Sequence, residues 1–235
     1  MIRLWILLLV CTTAVQGVHD CVRTSNYRCR PGNNDFDVRY CGLDDGDLGD
    51  LGVCLDQIGR SSIETISLDD NDFVHIPDDL LEGLTSLVRI RLNHLPNLRT
   101  LPEGLFAGLG SLVKISMRDN ALETLPEGLF SGLPLRIIYM DHNPIVQLPG
   151  KLYAGLTSLK KLRMRDIWLE ELDDDLFAGL TSLEQLYFYE NNKDISIPNH
   201  IFRDNVNLEI LYLNDNNCGF LHGTLFSGMS KLKVL

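Results

Sequence analysis

Along most of the chain, apolar positions first alternate with polar ones and then recur at wider intervals, and this compound pattern repeats. Between Ile63 and Leu235 it returns seven times at a period of 23 to 25 residues. Copies begin at Ile63, Leu87, Leu112, Leu135, Leu159, Leu183 and Leu208; an eighth opens at Leu232 and breaks off at Leu235. Two clear copies read LVKISMRDNALETLPEGLFSGLP from Leu112 and LKKLRMRDIWLEELDDDLFAGLTS from Leu159, and the shared template is LxxLxLxxNxLxxLPxxLFxGLxx. The alternation at the start of each unit predicts a short strand with every second side chain on one face. In the third copy Leu112, Ile115 and Met117 are expected to point inward, with Leu122, Leu125, Leu129, Phe130 and Leu133 completing a core layer. A period of this length predicts a solenoid. One unit buries too little to fold alone, so stability comes from stacking on neighbours.

The template resembles the extracellular, "typical" class of the leucine-rich repeat family, and the likeness covers about three quarters of the chain. Toll-like receptors, Slit-type guidance proteins, small matrix proteoglycans and the jawless-fish lymphocyte receptors share this repeat. The resemblance implies an α/β-type solenoid: a horseshoe with a parallel β-sheet on its concave face and short irregular or 3-10 segments on its convex side. Fold alone does not choose among the functions of such proteins; what they share is binding.

Within that frame the repeated residues acquire roles. Asn71, Asn120, Asn143, Asn191 and Asn216 hold the ninth position in five of the seven units. In the family this amide satisfies backbone groups of adjacent coils, as buried polar groups require. Leu95 and Ile167 replace it in the other two. The first unit of that pair has 25 residues and carries Pro96, so its turn is expected to be reshaped; a local irregularity is expected at Ile167. Phe106, Phe130, Phe177, Phe202 and Phe226, with Tyr153 in the same slot, form an aromatic column read as a stacked spine of the convex core. The recurring Pro77, Pro102, Pro126, Pro149 and Pro198 end the strand-side segment and stiffen the convex passage after it.

Residues 1–17 have the form of a secretory signal: Arg3 gives the positive start, Leu4 to Val10 the apolar run, and Val15-Gln16-Gly17 a small-residue exit. That run is far shorter than a membrane span needs, and no later segment qualifies. The chain is therefore expected to be secreted or to lie on the extracellular face of the cell surface. Residues 18–62 are expected to form an N-terminal cap and residues 63–235 the repeats. Cys21, Cys29, Cys41 and Cys54 give an even set in the cap, which argues for two disulfides with three connectivities open. Their spacing departs from the compact pattern of common animal caps. Cys218, in the leucine slot of the seventh unit, reads as a buried free thiol. The broken eighth unit, with no cap after it, suggests a fragment of a longer protein.

Charge changes the picture only when it is sorted by position. Acidic residues outnumber basic ones, 32 to 21, for a net charge of −11, which on balance argues against nucleic acid as a partner. Yet the concave positions of the second to fifth units hold Arg89, Arg91, Lys114, Arg118, Arg136, Lys160, Lys161, Arg163 and Arg165, against only Asp119, Asp141 and Asp166. Further along, the same columns carry Tyr139, Tyr187, Tyr189 and Tyr212. Basic residues orient and speed association with an anionic partner, and tyrosines are enriched at binding hot spots, though both also suit a plain solvated sheet. Arg89, Arg91, Lys114, Arg118, Tyr139, Lys161, Arg163, Arg165, Tyr187, Tyr189 and Tyr212 are the candidate partner-binding residues. The expected partner is a protein ligand with an acidic edge, or an acidic or sulfated macromolecule. Reversal of Arg163 and Arg165 to Glu is expected to weaken binding and leave folding intact.

No nucleophile elbow, phosphate loop or metal-hydrolase motif occurs, so no catalytic, cofactor or metal residues are assigned and the chain does not read as an enzyme. The acidic stretch from Asp44 to Asp50 lacks the order of a calcium loop and reads as a solvated cap loop. His94 and His142 share a concave column without zinc-ligand spacing. The reading is an extracellular binding module. The alternatives are the ectodomain of a membrane-anchored signalling or immune receptor, and a structural matrix protein.

Overall fold

A computed structural model describes residues 34–39, 41–191 and 195–235. Eight short strands form one parallel sheet in chain order: β1 (Asp35–Asp37), β2 (Thr65–Ser67), β3 (Arg89–Arg91), β4 (Lys114–Ser116), β5 (Ile137–Tyr139), β6 (Lys161–Arg163), β7 (Gln185–Tyr187) and β8 (Ile210–Tyr212). This is the leucine-rich repeat solenoid. The register stacks the central residue of each strand on its equivalent, from Phe36 through Ile66, Ile90, Ile115, Ile138, Leu162 and Leu186 to Leu211. All of them are buried. A parallel sheet leaves no room for hairpins, and each return passage supplies the convex core. Leu122, Leu125, Leu129, Phe130 and Leu133 are buried in that layer as the third copy predicts.

The spine is present. Phe106, Phe130, Tyr153, Phe177 and Phe202 stack with ring centroids 5.9–6.4 Å apart and planes within 14° of parallel. Phe226, one unit further on, is only partly buried. Tyr153 keeps its hydroxyl inside the core, donating to Met140 Sδ at 3.1 Å with Met164 Sδ at 3.7 Å.

The asparagines bridge coils. Asn120 Nδ2 donates to the Leu92 carbonyl and its Oδ1 accepts from Leu95 N; Asn216 Nδ2 donates to the Phe188 carbonyl while its Oδ1 accepts from Asn191 N. At the two units that lack the asparagine, a buried aspartate in the preceding unit, two positions ahead of that unit's own asparagine, bridges the coils. Asp69 Oδ1 accepts from Asn93 N at 2.8 Å, and Asp141 Oδ1 accepts from Arg165 N at 3.0 Å. The position of Ile167 is therefore compensated, contrary to the irregularity expected there; it bridges in parallel to Asn143 and is fully buried.

The cap segment departs from the sequence reading in two ways. Asp44 to Asp50 is not a solvated loop: Asp44 and Asp47 close a reciprocal capping box around a 3-10 turn, Asp45–Asp47, which leads into helix α1 (Leu48–Ile58). Asp44 accepts from Gly46 N, Asp47 accepts from Asp44 N, and Asp45 accepts from Val74 N and His75 N of the first repeat, so these acids have a local structural cause. Cys54, expected in a disulfide, is a free thiol on α1; it is buried against the core, which pushes its pKa up. It fills an apolar position on the core-facing side of a packed helix. Cys41 is disulfide-bonded. Cys21, Cys29 and the signal-like residues 1–17 lie outside the described residues. Cys218 is a free thiol, half-buried rather than buried.

Candidate functional site

The exposed face of the sheet is built from the two outer residues of each three-residue strand and the turn after it. Along the sheet, one column runs Thr65, Arg89, Lys114, Ile137, Lys161, Gln185, Ile210 and its neighbour runs Ser67, Arg91, Ser116, Tyr139, Arg163, Tyr187, Tyr212. Strands sit about 4.8 Å apart, so side chains of adjacent units touch. The next turn residue is left-handed in all seven units: Asp70, His94, Asp119, His142, Asp166, Glu190 and Asp215 have φ between 50° and 59°. Aspartate tolerates that region better than most residues. The aspartates preceding the asparagine position therefore have a backbone reason to be there. Their side chains also meet neighbours: His142 Nδ1 lies 3.0 Å from Asp166, and His94 Nε2 lies 3.7 Å from Asp119.

The concave cations divide into two groups. Arg91 meets the buried Asp69 at 2.5 Å, Arg163 meets the buried Asp141 at 3.1 Å, Arg165 meets Glu190 at 2.6 Å and Lys160 meets Glu184 at 2.7 Å. Among the described residues, Arg89, Lys114, Arg118, Arg136 and Lys161 form no ion pair. Three of these five converge on one ring. Lys114 Nζ stands 4.9 Å, Arg118 Cζ 5.7 Å and Lys161 Nζ 5.8 Å from the Tyr139 centroid, with Arg163 Cζ at 5.6 Å. Lys161 and Arg163 also lie against Tyr187, at 4.9 and 5.5 Å, and Arg165 against Tyr189 at 5.4 Å. Tyr187 stacks on Tyr212 at 5.2 Å, and Tyr189 tilts against Tyr212 at 5.9 Å.

The face is thus a comb of cations and aromatic rings from β4 to β8. Cation–π contacts hold the heads in place without neutralising them. Burial, helped by the charges of Arg118, Arg91, Arg89 and Lys161, pushes the Lys114 pKa down, and burial with Arg163 does the same to Lys161. Positive charge is stored here at a cost. The candidate residues other than Arg89 and Arg91 lie in this comb; those two flank it on β3.

Of the two carboxylates under the arginines, Asp69 is absent from the sequence reading, and Asp141, expected to face solvent on the concave sheet, is buried. Arg163 closes on an aspartate that is 1% exposed, so its reversal to Glu would put two acids together in the sheet and is expected to cost stability as well as binding. Lys114 and Lys161 are the cleaner probes. The missed signal is an Asp seven residues into one unit facing an Arg five residues into the next, which occurs at Asp69/Arg91 and Asp141/Arg163, each time ahead of a unit without the asparagine. Among the described residues, no group of three or more His, Cys, Asp or Glu is placed to hold a metal, and no helix is long and apolar enough to cross a membrane.

Leucine rich repeat models match residues 61–122 and 95–145, and the model of the BspA type leucine rich repeat region, in six copies, matches residues 146–235. No curated protein sequence matches the chain. Among solved structures it is similar to Toll in the Drosophila Toll–Spatzle complex, at 26% identity and a TM-score of 0.68, over 84% of this chain and 25% of Toll. TLR13 in its ssRNA13 complex gives 24% identity and 0.70, over 84% of this chain and 27% of that one. Human 5T4, a trophoblast glycoprotein, gives 21% and 0.66, over 87% and 75%. The chain thus spans about a quarter of the length of Toll and of TLR13. Net charge does not exclude nucleic acid, contrary to the expectation from composition: TLR13 shows this fold beside RNA, and a negative total says little where the cations are gathered on one face. With repeat models covering residues 61–235 and the solenoid geometry in agreement, the chain belongs to the leucine-rich repeat family.

Proposed function

We propose that this chain is a binding module whose exposed sheet face recognises an acidic protein surface. The observation that carries the reading is the group of concave cations without carboxylate partners, set beside a tyrosine cluster in a chain of net charge −11. The tyrosines favour a protein over a uniform polyanion. The cations stop at β6 and its turn, and from there the face offers aromatic area, which suits an acidic edge adjoining an apolar patch. In this reading the chain is not an enzyme, residues 1–17 direct export, residues 18–62 cap the repeats of residues 63–235, and the molecule works outside the cell. The likeness to Toll supports a second form of the same reading, in which the chain belongs to a receptor ectodomain.

Poly-L-glutamate serves as the acidic polypeptide probe, its binding followed by fluorescence anisotropy at low and high salt. Binding is expected to weaken with salt, and Lys114→Gln with Lys161→Gln is expected to lower affinity at least about tenfold, or roughly 1.4 kcal/mol, with an unchanged melting temperature. Absence of binding at low salt, or equal affinity in the double variant, overturns the proposal. So does tighter binding of a single-stranded RNA of matched charge.

A further inference from the structure

The convergence around Tyr139 is more specific than a basic face. Its four cations arrive from two sides. Lys114 on β4 and Arg118 just after it approach from one neighbouring strand, and Lys161 and Arg163 on β6 approach from the other. The two backbones are separated by two strand spacings, about 9.6 Å, and all four heads lie within 6 Å of one ring centre, reached from the β4 side by Lys114 and Arg118 and from the β6 side by Lys161 and Arg163. Of the four, among the described residues, only Arg163 forms an ion pair, with Asp141, whose charge also reaches Lys161. Arg118 Nε is buried with no hydrogen-bond partner. Ser116 is neutral, and its hydroxyl is already engaged, donating to Asn93 Oδ1 at 2.7 Å.

We infer that the Lys114–Arg118–Lys161 cluster over Tyr139 is a tetrahedral-oxyanion site, reading a sulfate or phosphate ester carried by the polypeptide ligand. A carboxylate has two oxygens in one plane and is suited to a single fork-shaped donor. An ester presents three terminal oxygens in three directions, so it can meet donors from β4 and from β6 together. Two lysines and one arginine outnumber the charge of any single carboxylate, and a tetrahedral anion relieves their mutual repulsion in one contact. Arg163, whose Nε lies 3.1 Å from Asp141 Oδ2 without a hydrogen bond between them, forms a wall of the site and supplies less charge to the ligand. The Tyr139 ring stands between the β4 pair and the β6 pair and sets their spacing, so an anion that meets both lies across its outer edge. The site recognises the anion without bond making or breaking.

This inference rests on the exposed sheet face being the ligand face, and the experiment separates the two. Four short peptides, alike except for one residue, carry tyrosine, glutamate, sulfotyrosine or phosphotyrosine, and are compared by fluorescence anisotropy alongside poly-L-glutamate. The intact chain is expected to bind an ester peptide at least about tenfold more tightly than the glutamate peptide. Tighter binding of the sulfated form assigns a sulfate ester, and of the phosphorylated form a phosphate ester. In Lys114→Gln/Lys161→Gln the ester preference is expected to collapse toward unity; in Lys151→Gln, which alters an exposed cation away from the sheet face, it is expected to persist. Equal affinity for ester and glutamate peptides, with poly-L-glutamate still bound, overturns the oxyanion site and leaves the binding face standing. Failure of every anion to bind overturns both.

Discussion

Two aromatic columns run through this molecule at the same period, and they do opposite things. In the convex core Phe106, Phe130, Tyr153, Phe177 and Phe202 meet ring on ring with no more than 3% exposure. On the sheet face Tyr139 and Tyr187 have cations between them, and Tyr212 is exposed. One column, the Tyr153 hydroxyl apart, ends in carbon, so water is excluded and each ring stabilises the next. The other ends in hydroxyls and charged heads that face solvent. A repeated aromatic therefore says little until its neighbours are known. A ring stacked on rings is structure, and a ring between unpaired cations is available to a ligand.

The comparison breaks most visibly under truncation. Phe130→Ala is expected to cost about 3–5 kcal/mol, whereas Tyr139→Ala is expected to cost less than about 1 kcal/mol. Urea titration of both variants checks this, and equal losses would erase the distinction between the columns. The same contrast holds among the cations. Arg163→Glu leaves Asp141 buried beside a like charge and is expected to cost about 3 kcal/mol. Lys161→Gln, with no ion pair to lose, is expected to stay within about 0.5 kcal/mol of the parent. Thermal melting would show whether Lys161 is as structural as Arg163.

The spine itself contains an imperfection that sharpens the contrast. Tyr153 is fully buried and its hydroxyl meets only thioether sulfurs, which are weak acceptors. Burial drives its pKa far above the ordinary tyrosine value. Tyr153→Phe removes a poorly satisfied polar group from a ring that otherwise stacks well, and is expected to stabilise the fold by about 1 kcal/mol. A destabilised variant would mean that the hydroxyl matters to the core.

A smaller effect concerns pH. The folded state lowers the pKa of Lys114 and Lys161, so the unfolded chain holds more protons in the window just below the ordinary lysine value. Stability from these groups therefore rises as pH climbs through that window toward the ordinary lysine value. Lys114→Gln/Lys161→Gln is expected to flatten the rise in pH-dependent denaturation while leaving neutral-pH stability unchanged or slightly higher.

Period alone makes the solenoid legible. Asn120 and Phe130 can be assigned because each recurs in register, and Tyr153 takes its place in the spine by its slot despite its hydroxyl. Lys114 and Tyr139 can be placed on one face for the same reason. Their convergence cannot be read, because period gives columns and says nothing of how far a lysine leans across a strand. The burial of Asp69 and Asp141 stays hidden because their partners lie in the next unit, where a search for sameness does not look. Outside the repeats no period is present to guide the reading. Asp44 and Asp47 carry a helix-start signal that passes for a loop by composition, and parity pairs Cys54 although its place on α1 decides its state.

The most direct test is a lysine-acylation footprint of the intact chain with and without poly-L-glutamate at low salt. The account predicts protection of Lys114 and Lys161, with Lys151 and Lys231, exposed away from the comb, reacting as before. Protection centred on Lys151 or Lys231, or uniform reactivity with the probe bound, would contradict it.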